Sequence, residues 1–363
     1  MRWGSMRGKA CRLASSLVVG ILVSLMLATS TAQARLGQPE TGAGTTLLGF
    51  YSWDPTIFLG IAGKQHAVRW RTVDWNPSKN FGETWAATIT AAASGGWALQ
   101  VTWSSERYDY ATGDPVAAIS SDAIARGRGD AQIIAAVRGL SASPVPVILR
   151  FDPEMNGYWH SYCARNRGGS ARGPEDSAAS FVAAWRRVRT IFRGGGRARV
   201  NAALIRLGQP RLTVPSVGRI GAPKVRFAWV PNVSANPVTR GNTNTASAYY
   251  PGDAYVDWAG VDLYDDKPQN TDWAALRGFL NAQYVAHPAK PFGLFEWGLR
   301  SRTDDGIFVD DVFGWLANHR RVALIEWYDS AHSRLADNPL AAAAYRRGIQ
   351  SPRYTGSRSD FPR

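Results

Sequence analysis

Val145-Pro-Val-Ile-Leu-Arg-Phe-Asp-Pro-Glu-Met-Asn-Gly-Tyr-Trp159 is a short apolar run that turns polar at its C-terminal end. Its length and its β-branched residues read as a buried strand, and the polar cluster behind it as a loop leaving that strand. Side chains alternate along a strand. Arg150, Asp152 and Glu154 are therefore expected on one face, with Val147, Leu149 and Phe151 on the other. A second run of this kind, Pro291-Phe-Gly-Leu-Phe-Glu-Trp-Gly298, also ends on a glutamate, Glu296, followed at once by Trp and Gly.

Six more runs surround these two, which gives eight predicted strands in all. In order they are Leu47 to Tyr51, Ala67 to Arg71, Ala98 to Trp103, Pro146 to Asp152, Val225 to Val230, Val256 to Leu263, Phe292 to Glu296 and Val322 to Trp327. Helical stripes of 3.6-residue period lie between them. These are Ala131 to Leu140, Ser177 to Phe192, Trp273 to Tyr284 and Phe308 to Asn318; Pro339 opens a last helix, Leu340 to Ile349. Alternating strands and helices call for a parallel sheet, and eight strands without a dinucleotide fingerprint after the first fit a (β/α)8 TIM barrel of the α/β class. Arg197 to Lys224 breaks the helical rhythm and reads as an insertion. No linker, repeat or appended carbohydrate-binding module interrupts 35–350, which read as a single domain, and 351–363 read as a loose tail.

The first 34 residues read as a secretory signal, with a basic head (Arg2, Arg7, Lys9, Arg12), an apolar stretch from Leu17 to Leu27 and a small-x-small site at Ala32-Gln33-Ala34. A secreted, extracellular protein is expected, with no membrane association after cleavage. Cys163 is then the single remaining cysteine, so no internal disulfide forms and stability must come from an ordinary core. Loss of the signal lowers the formal charge from +14 to +10. The excess is mostly arginine spread along the chain, without the basic helix or zinc-finger spacing that nucleic-acid binding would bring. Five histidines without ligand spacing imply no metal, and no cofactor is called for. Asp304, Asp305, Asp310 and Asp311 read as acids that cap and solvate a helix rather than as calcium ligands. A monomer is expected.

By strand count Glu154 ends the fourth barrel strand and Glu296 the seventh, and the C-terminal face of such a barrel is where chemistry gathers. A lone carboxylate there has a bland reading, a buried ion pair such as Glu154 with Arg150. Two of them, each followed by glycine and aromatic residues, favour catalysis. Paired carboxyls on either side of a glycosidic bond are what glycoside hydrolysis requires. Among the 15 tryptophans, Trp53, Trp103, Trp159, Trp229, Trp297 and Trp327 stand at or just after strand ends, which suggests a cleft lined with sugar-binding rings.

Arg150-Phe-Asp-Pro-Glu-Met-Asn-Gly-Tyr-Trp159 resembles the acid/base segment of glycoside hydrolase family 26, the β-mannanase family. Phe227-Ala-Trp-Val-Pro-Asn232, the stretch from Tyr250-Pro-Gly-Asp253 to Tyr264, and Phe295-Glu-Trp-Gly298 are similar to further segments of the same family. The resemblance implies a retaining hydrolase with Glu154 as acid/base and Glu296 as nucleophile, acting on a β-linked polysaccharide and foremost on β-1,4-mannan. It further implies that Tyr264 hydrogen-bonds the nucleophile and that Trp327 floors the subsite of the sugar being cut. Arg150, Asn156, Trp159 and Trp229 are the remaining expected contacts. Pro153 departs from the family, which commonly has His there, and this bears on mannan specificity. His160 reads as an exposed loop residue. Open alternatives are a β-1,3-xylanase, a mixed-linkage β-glucanase and a catalytically silent glycan-binding barrel.

Overall fold

The computed structural model describes residues 44–76, 84–109, 114–214, 218–241, 243–265, 272–301 and 303–362. The expected secretory signal lies outside them. Among the described residues, no helix is long and apolar enough to cross a membrane.

The barrel begins with β1 (Thr46–Ser52), α1 (Pro55–Ala62), β2 (Val68–Asp74), α2 (Trp85–Ser94) and β3 (Ala98–Ser104). A hairpin follows, β4 (Glu106–Asp109) and β5 (Asp114–Ala117), then α3 (Ser121–Ala125) and α4 (Asp130–Ser141). The middle of the chain forms β6 (Val147–Phe151), α5 (Ala178–Phe192), α6 (Arg197–Arg206) and β7 (Val225–Trp229). It closes with β8 (Trp258–Tyr264), α7 (Trp273–Ala286), β9 (Phe292–Gly298), α8 (Gly306–Ala317), β10 (Val322–Asp329) and α9 (Pro339–Gly348). Strands β1, β2, β3, β6, β7, β8, β9 and β10 pair in parallel in that order, and β10 pairs back to β1, so the eight-stranded barrel is closed. All eight predicted strands and all five predicted helices are present.

Local chemistry explains the helices that matter to the site. Phe181, Trp185, Val188 and Phe192 fall on one face of α5 and are buried against Phe151 and Phe227. Ser177 caps α5 by accepting the Ser180 amide at 3.1 Å. Asp305 caps α8, while Asp304 accepts the Leu340 and Ala341 amides at the start of α9, so these two acids are indeed caps. The predicted insertion is corrected in part, because its first ten residues are the helix α6. That helix buries only Val200, Asn201 and Leu204 between arginines, a stripe too narrow to stand out as a period.

The C-terminal residues are not loose either. Tyr354–Thr355 forms β11 beside β1, and the Arg353 guanidinium binds the carbonyls of Leu316 and His319. Phe361 packs with Leu47, Val68, Ala98, Ile148 and Leu324 as part of the apolar floor of the barrel. An apolar side chain that plugs the open end of a barrel removes more apolar surface from water than one waving in solvent, and this fixes the segment. Above that floor the interior turns polar, with Gln100, Arg150, Asp262 and Glu326 all fully buried.

Candidate active site

Glu296 owes its position to a β-bulge. Leu294 pairs with Val261 on β8, but Asp262 pairs with Glu296, so Phe295 is the extra residue; β10 shows the same shift between Ile325 and Trp327. Leu294 and Trp297 both face the helices, whereas Phe295 packs on the barrel floor. The bulge lets Glu296 point inward as well, re-aiming one side chain at the cost of one ladder pair. Its carboxylate accepts a hydrogen bond from the Tyr264 hydroxyl on one oxygen and from Arg150 Nη1 on the other, at 3.3 Å. Arg150 also donates to Asp262, and its guanidinium lies 5.1 Å from the Trp70 ring. Burial opposes the charge on Arg150, but the carboxylates of Asp262, Glu296, Glu326 and Glu154 prevail and raise its pKa.

Glu154 stands beyond the strand. β6 ends at Phe151, and Asp152 and Glu154 both adopt left-handed backbone, with φ of 43° and 51°. Such conformations cost about 1–3 kcal/mol each in residues other than glycine, and they collect at functional sites. Asp152 therefore does not line the mouth as strand alternation predicts. It turns to accept the Ser105 amide at 2.6 Å and the Ser105 hydroxyl at 3.0 Å, tying β6 to the hairpin. Glu154 is anchored through its amide to the Val230 carbonyl at 2.8 Å. Its side chain accepts the Trp159 indole N–H and the Asn232 amide, each at 2.8 Å, and meets His160 Nε2 at 3.5 Å.

The two carboxylates respond oppositely to their surroundings. Burial pushes both up. For Glu154 the His160 contact, with Asn232 and Trp159, overrides burial and brings the pKa down to about 2. For Glu296 the Arg150 charge pulls down, but burial and the nearby Glu154 charge leave it raised. Each carboxylate thus lies within the electrostatic reach of the other. His160 is only partly exposed and is pushed up to about 10, because the charges and hydrogen bonds of Glu106 and Glu154 outweigh its burial.

Tyr264 and Arg150 thus meet Glu296, and Trp159, expected as a sugar contact, meets Glu154. Three other expected contacts meet neither. Trp327 and Trp229 are 0% and 1% exposed, on the side of the sheet that faces the helices. Trp327 packs on Trp297 and Tyr345 and donates its indole N–H to the Ser333 carbonyl. Alternation explains this, for Glu326 and Tyr328 point inward and Trp327 must point out. Asn156 is buried as a loop lock, accepting the Asn232 amide and donating to the Asn232 and Ser234 carbonyls. Trp103 and Trp297 are likewise core residues rather than cleft lining.

The aromatic wall comes from residues the sequence reading passed over. Tyr51 stacks on Tyr328 with ring centroids 5.3 Å apart, and Trp70 lies 4.9 Å from Tyr51 and 5.5 Å from Tyr328. Trp53, 78% exposed, extends the wall outward from Tyr51. The Arg300 guanidinium lies about 6 Å from both the Trp159 and Tyr264 rings. Cys163 is buried beside Asn244 and Tyr249, away from the carboxylates. His160, expected on an exposed loop, stacks on Tyr162 at 4.7 Å and bridges two carboxylates.

Fold and site together define a (β/α)8 barrel with a carboxylate pair at the C-terminal ends of its fourth and seventh strands. No family model matches the chain. The barrel is nevertheless the fold of solved family 26 enzymes, as the sequence resemblance implies. An endo-β-1,4-mannanase from Cellulomonas fimi aligns at a TM-score of 0.55 with 16% identity, covering 88% of this chain and 74% of the other. A β-mannanase from a symbiotic protist of the termite Reticulitermes speratus, complexed with a gluco-manno-oligosaccharide, gives 0.55 with 13% identity, covering 88% and 91%. GH26A from Muricauda sp. gives 0.54 with 17% identity, covering 88% and 94%. Among curated proteins the chain is similar to Endoglucanase H of Acetivibrio thermocellus, 22% identical over 354 residues. That alignment takes in 92% of this chain but spans about a third, 32%, of the relative.

Proposed function

We propose that the protein is an exported retaining glycoside hydrolase that cleaves a β-linked polysaccharide, β-1,4-mannan foremost. The observation that carries this reading is the pair of carboxylates with unlike partners at one barrel mouth. Glu296 has a cation and a phenol to hold its negative charge, as a nucleophile needs. Glu154 has indole and amide donors that hold it as the carboxylate in the empty cleft, and beside them an imidazole able to hand it a proton. In the first step Glu154 protonates the leaving oxygen while Glu296 attacks the anomeric carbon. In the second, Glu154 deprotonates the water that releases the sugar. Tyr51, Tyr328 and the exposed Trp53 would meet bound sugar rings, with Trp70 packed behind them. A β-glucan is the second substrate reading, favoured by the similarity to Endoglucanase H.

The test is reducing-sugar release from β-mannan, galactomannan, β-1,3-xylan and mixed-linkage glucan. Glu154→Gln should lower the rate by about 10²–10⁴-fold, the usual worth of general acid–base catalysis. Glu296→Gln should abolish turnover. Polysaccharide binding with no release of reducing ends from any polymer would make the barrel a binding protein and refute the proposal.

A further inference from the structure

Glu106, the first residue of the β4–β5 hairpin, holds His160 against the acid/base. Glu106 is 4% exposed, and one carboxylate oxygen accepts the Ser161 amide while the other lies 2.9 Å from His160 Nδ1. The imidazole is clamped flat on Tyr162, with an 11° angle between the rings, and Arg172 pins the backbone by donating to the Tyr158 and His160 carbonyls. A buried carboxylate at Nδ1 requires a proton on Nδ1. Nε2 then faces the Glu154 carboxylate at 3.5 Å. Two lone pairs cannot face each other there, so one further proton must lie between His160 and Glu154, on one atom or the other.

We propose that Glu106 and His160 are positioning residues that keep this proton next to Glu154, so that the acid is reloaded from within the protein. The inference rests on the hydrolase reading. In the empty cleft His160 is the imidazolium and Glu154 the carboxylate. As the glycosidic bond breaks and Glu296 bonds to the anomeric carbon, the Nε2 proton passes to Glu154 and from Glu154 on to the leaving oxygen, which leaves Glu154 a carboxylate again. His160 is left neutral, its remaining proton on Nδ1 held by Glu106. In the second step Glu154 takes a proton from water and Nε2 takes it back, which restores the starting charges. The other charged or titratable groups around the imidazole are Asp152, Tyr162 and Arg172. The charge on Asp152 feels His160, and the Tyr162 hydroxyl is occupied by the Pro153 carbonyl.

The experiment compares phenyl and 2,4-dinitrophenyl β-mannobiosides across pH, using the full mature chain and its His160→Gln and Glu106→Gln variants. The phenyl leaving group needs a proton; the dinitrophenyl group does not. His160→Gln should lower kcat/KM for the phenyl substrate at pH 8 by about 10²-fold, as expected for loss of general acid catalysis. The dinitrophenyl value should stay within a factor of about three, because that step asks for no acid. Glu106→Gln should bring the alkaline limb for the phenyl substrate down by a pH unit or more. Equal losses on both substrates would signify a merely structural role and overturn the proposal. Nitrogen-15 NMR of the His160 ring gives a readout independent of turnover. Both nitrogens should carry protons at pH 8 in the unsubstituted chain, and a neutral ring at that pH overturns the proposal. If neither glycoside is hydrolysed by the unsubstituted chain, the mannan reading fails by itself, and the NMR titration still decides whether the proton is held at His160.

Discussion

Glu326 offers a direct thermodynamic test of the barrel interior. It lies in the barrel interior near Glu296, 0% exposed, and neither carboxyl oxygen has a hydrogen-bond partner. Burial raises its pKa well above the usual carboxylate value; Arg150 opposes this and the Glu296 charge adds to it. The folded chain therefore holds this proton to higher pH than the unfolded chain does. In the unfolded chain it titrates near the reference value of about 4.3. Above that pH the folded state binds the proton that the unfolded state has lost, so unfolding becomes easier as pH rises. The slope is about 1.4 kcal/mol per pH unit up to the folded pKa. Glu326→Gln removes the titration and leaves the shape nearly unchanged. The stability difference between variant and parent should then grow in the variant's favour as pH rises above the unfolded value, by at most about 1.4 kcal/mol per pH unit. Urea unfolding at four or five pH values measures this, and the other buried acids cancel because both proteins contain them. A flat difference curve, with the variant less stable by about 3–5 kcal/mol at every pH, would show that Arg150 keeps Glu326 ionised as a buried ion pair and would refute the reasoning.

A Cβ at Gly49 would sit 2.7 Å from Glu326 Cγ, so Gly49→Ala should cost about 1–3 kcal/mol in urea unfolding, and Glu326→Ala in the same chain should recover part of it. Tyr264→Phe deletes a donor whose hydrogen bond lowers the Glu296 pKa. The nucleophile then ionises at higher pH, so the acidic limb of kcat/KM should move up and its plateau fall about tenfold to a hundredfold, the worth of one hydrogen bond to a charged group. Arg187 and Asp130, both fully buried, pair through two contacts of 2.7 Å, and Asp130→Ala should lower stability by about 3–5 kcal/mol by leaving a buried cation alone.

The barrel is legible in the sequence because each strand carries its own signal. Val147, Leu149 and Phe151 are apolar whatever surrounds them, and helices such as Ala178–Phe192 show a stripe wide enough to see. What escapes is what depends on contacts between distant segments. Nothing near Glu106 announces that it will meet His160, 54 residues on, and the hairpin that carries it has no strong pattern of its own. The C-terminal segment looks loose because its apolar anchors, Tyr354 and Phe361, count only once the barrel supplies surfaces to fill. The tryptophans mislead for the opposite reason. Their bulk is equally at home in a cleft and between sheet and helices, and only the parity of the strand separates the two. Trp327 is outward because Glu326 and Tyr328 are inward, a deduction available from the sequence once one residue of β10 from Leu324 onward has been placed.

The same parity explains where the two carboxylates are. A regular strand places side chains at fixed heights and on fixed faces, and both glutamates stand where that regularity fails. Glu296 follows a β-bulge that spends one residue, Phe295, to face the interior twice. Glu154 stands three residues beyond the end of β6, on left-handed backbone between Pro153 and Met155, and is fixed by the Val230 carbonyl rather than by its own strand. Arg150, the last inward residue of β6, spans the gap by reaching Glu296 from below. Neither irregularity stabilises the barrel: one gives up ladder pairing, the other holds unfavourable dihedrals. Backbone kept in such forms at both glutamates, at a cost to folding, is what the proposed chemistry calls for.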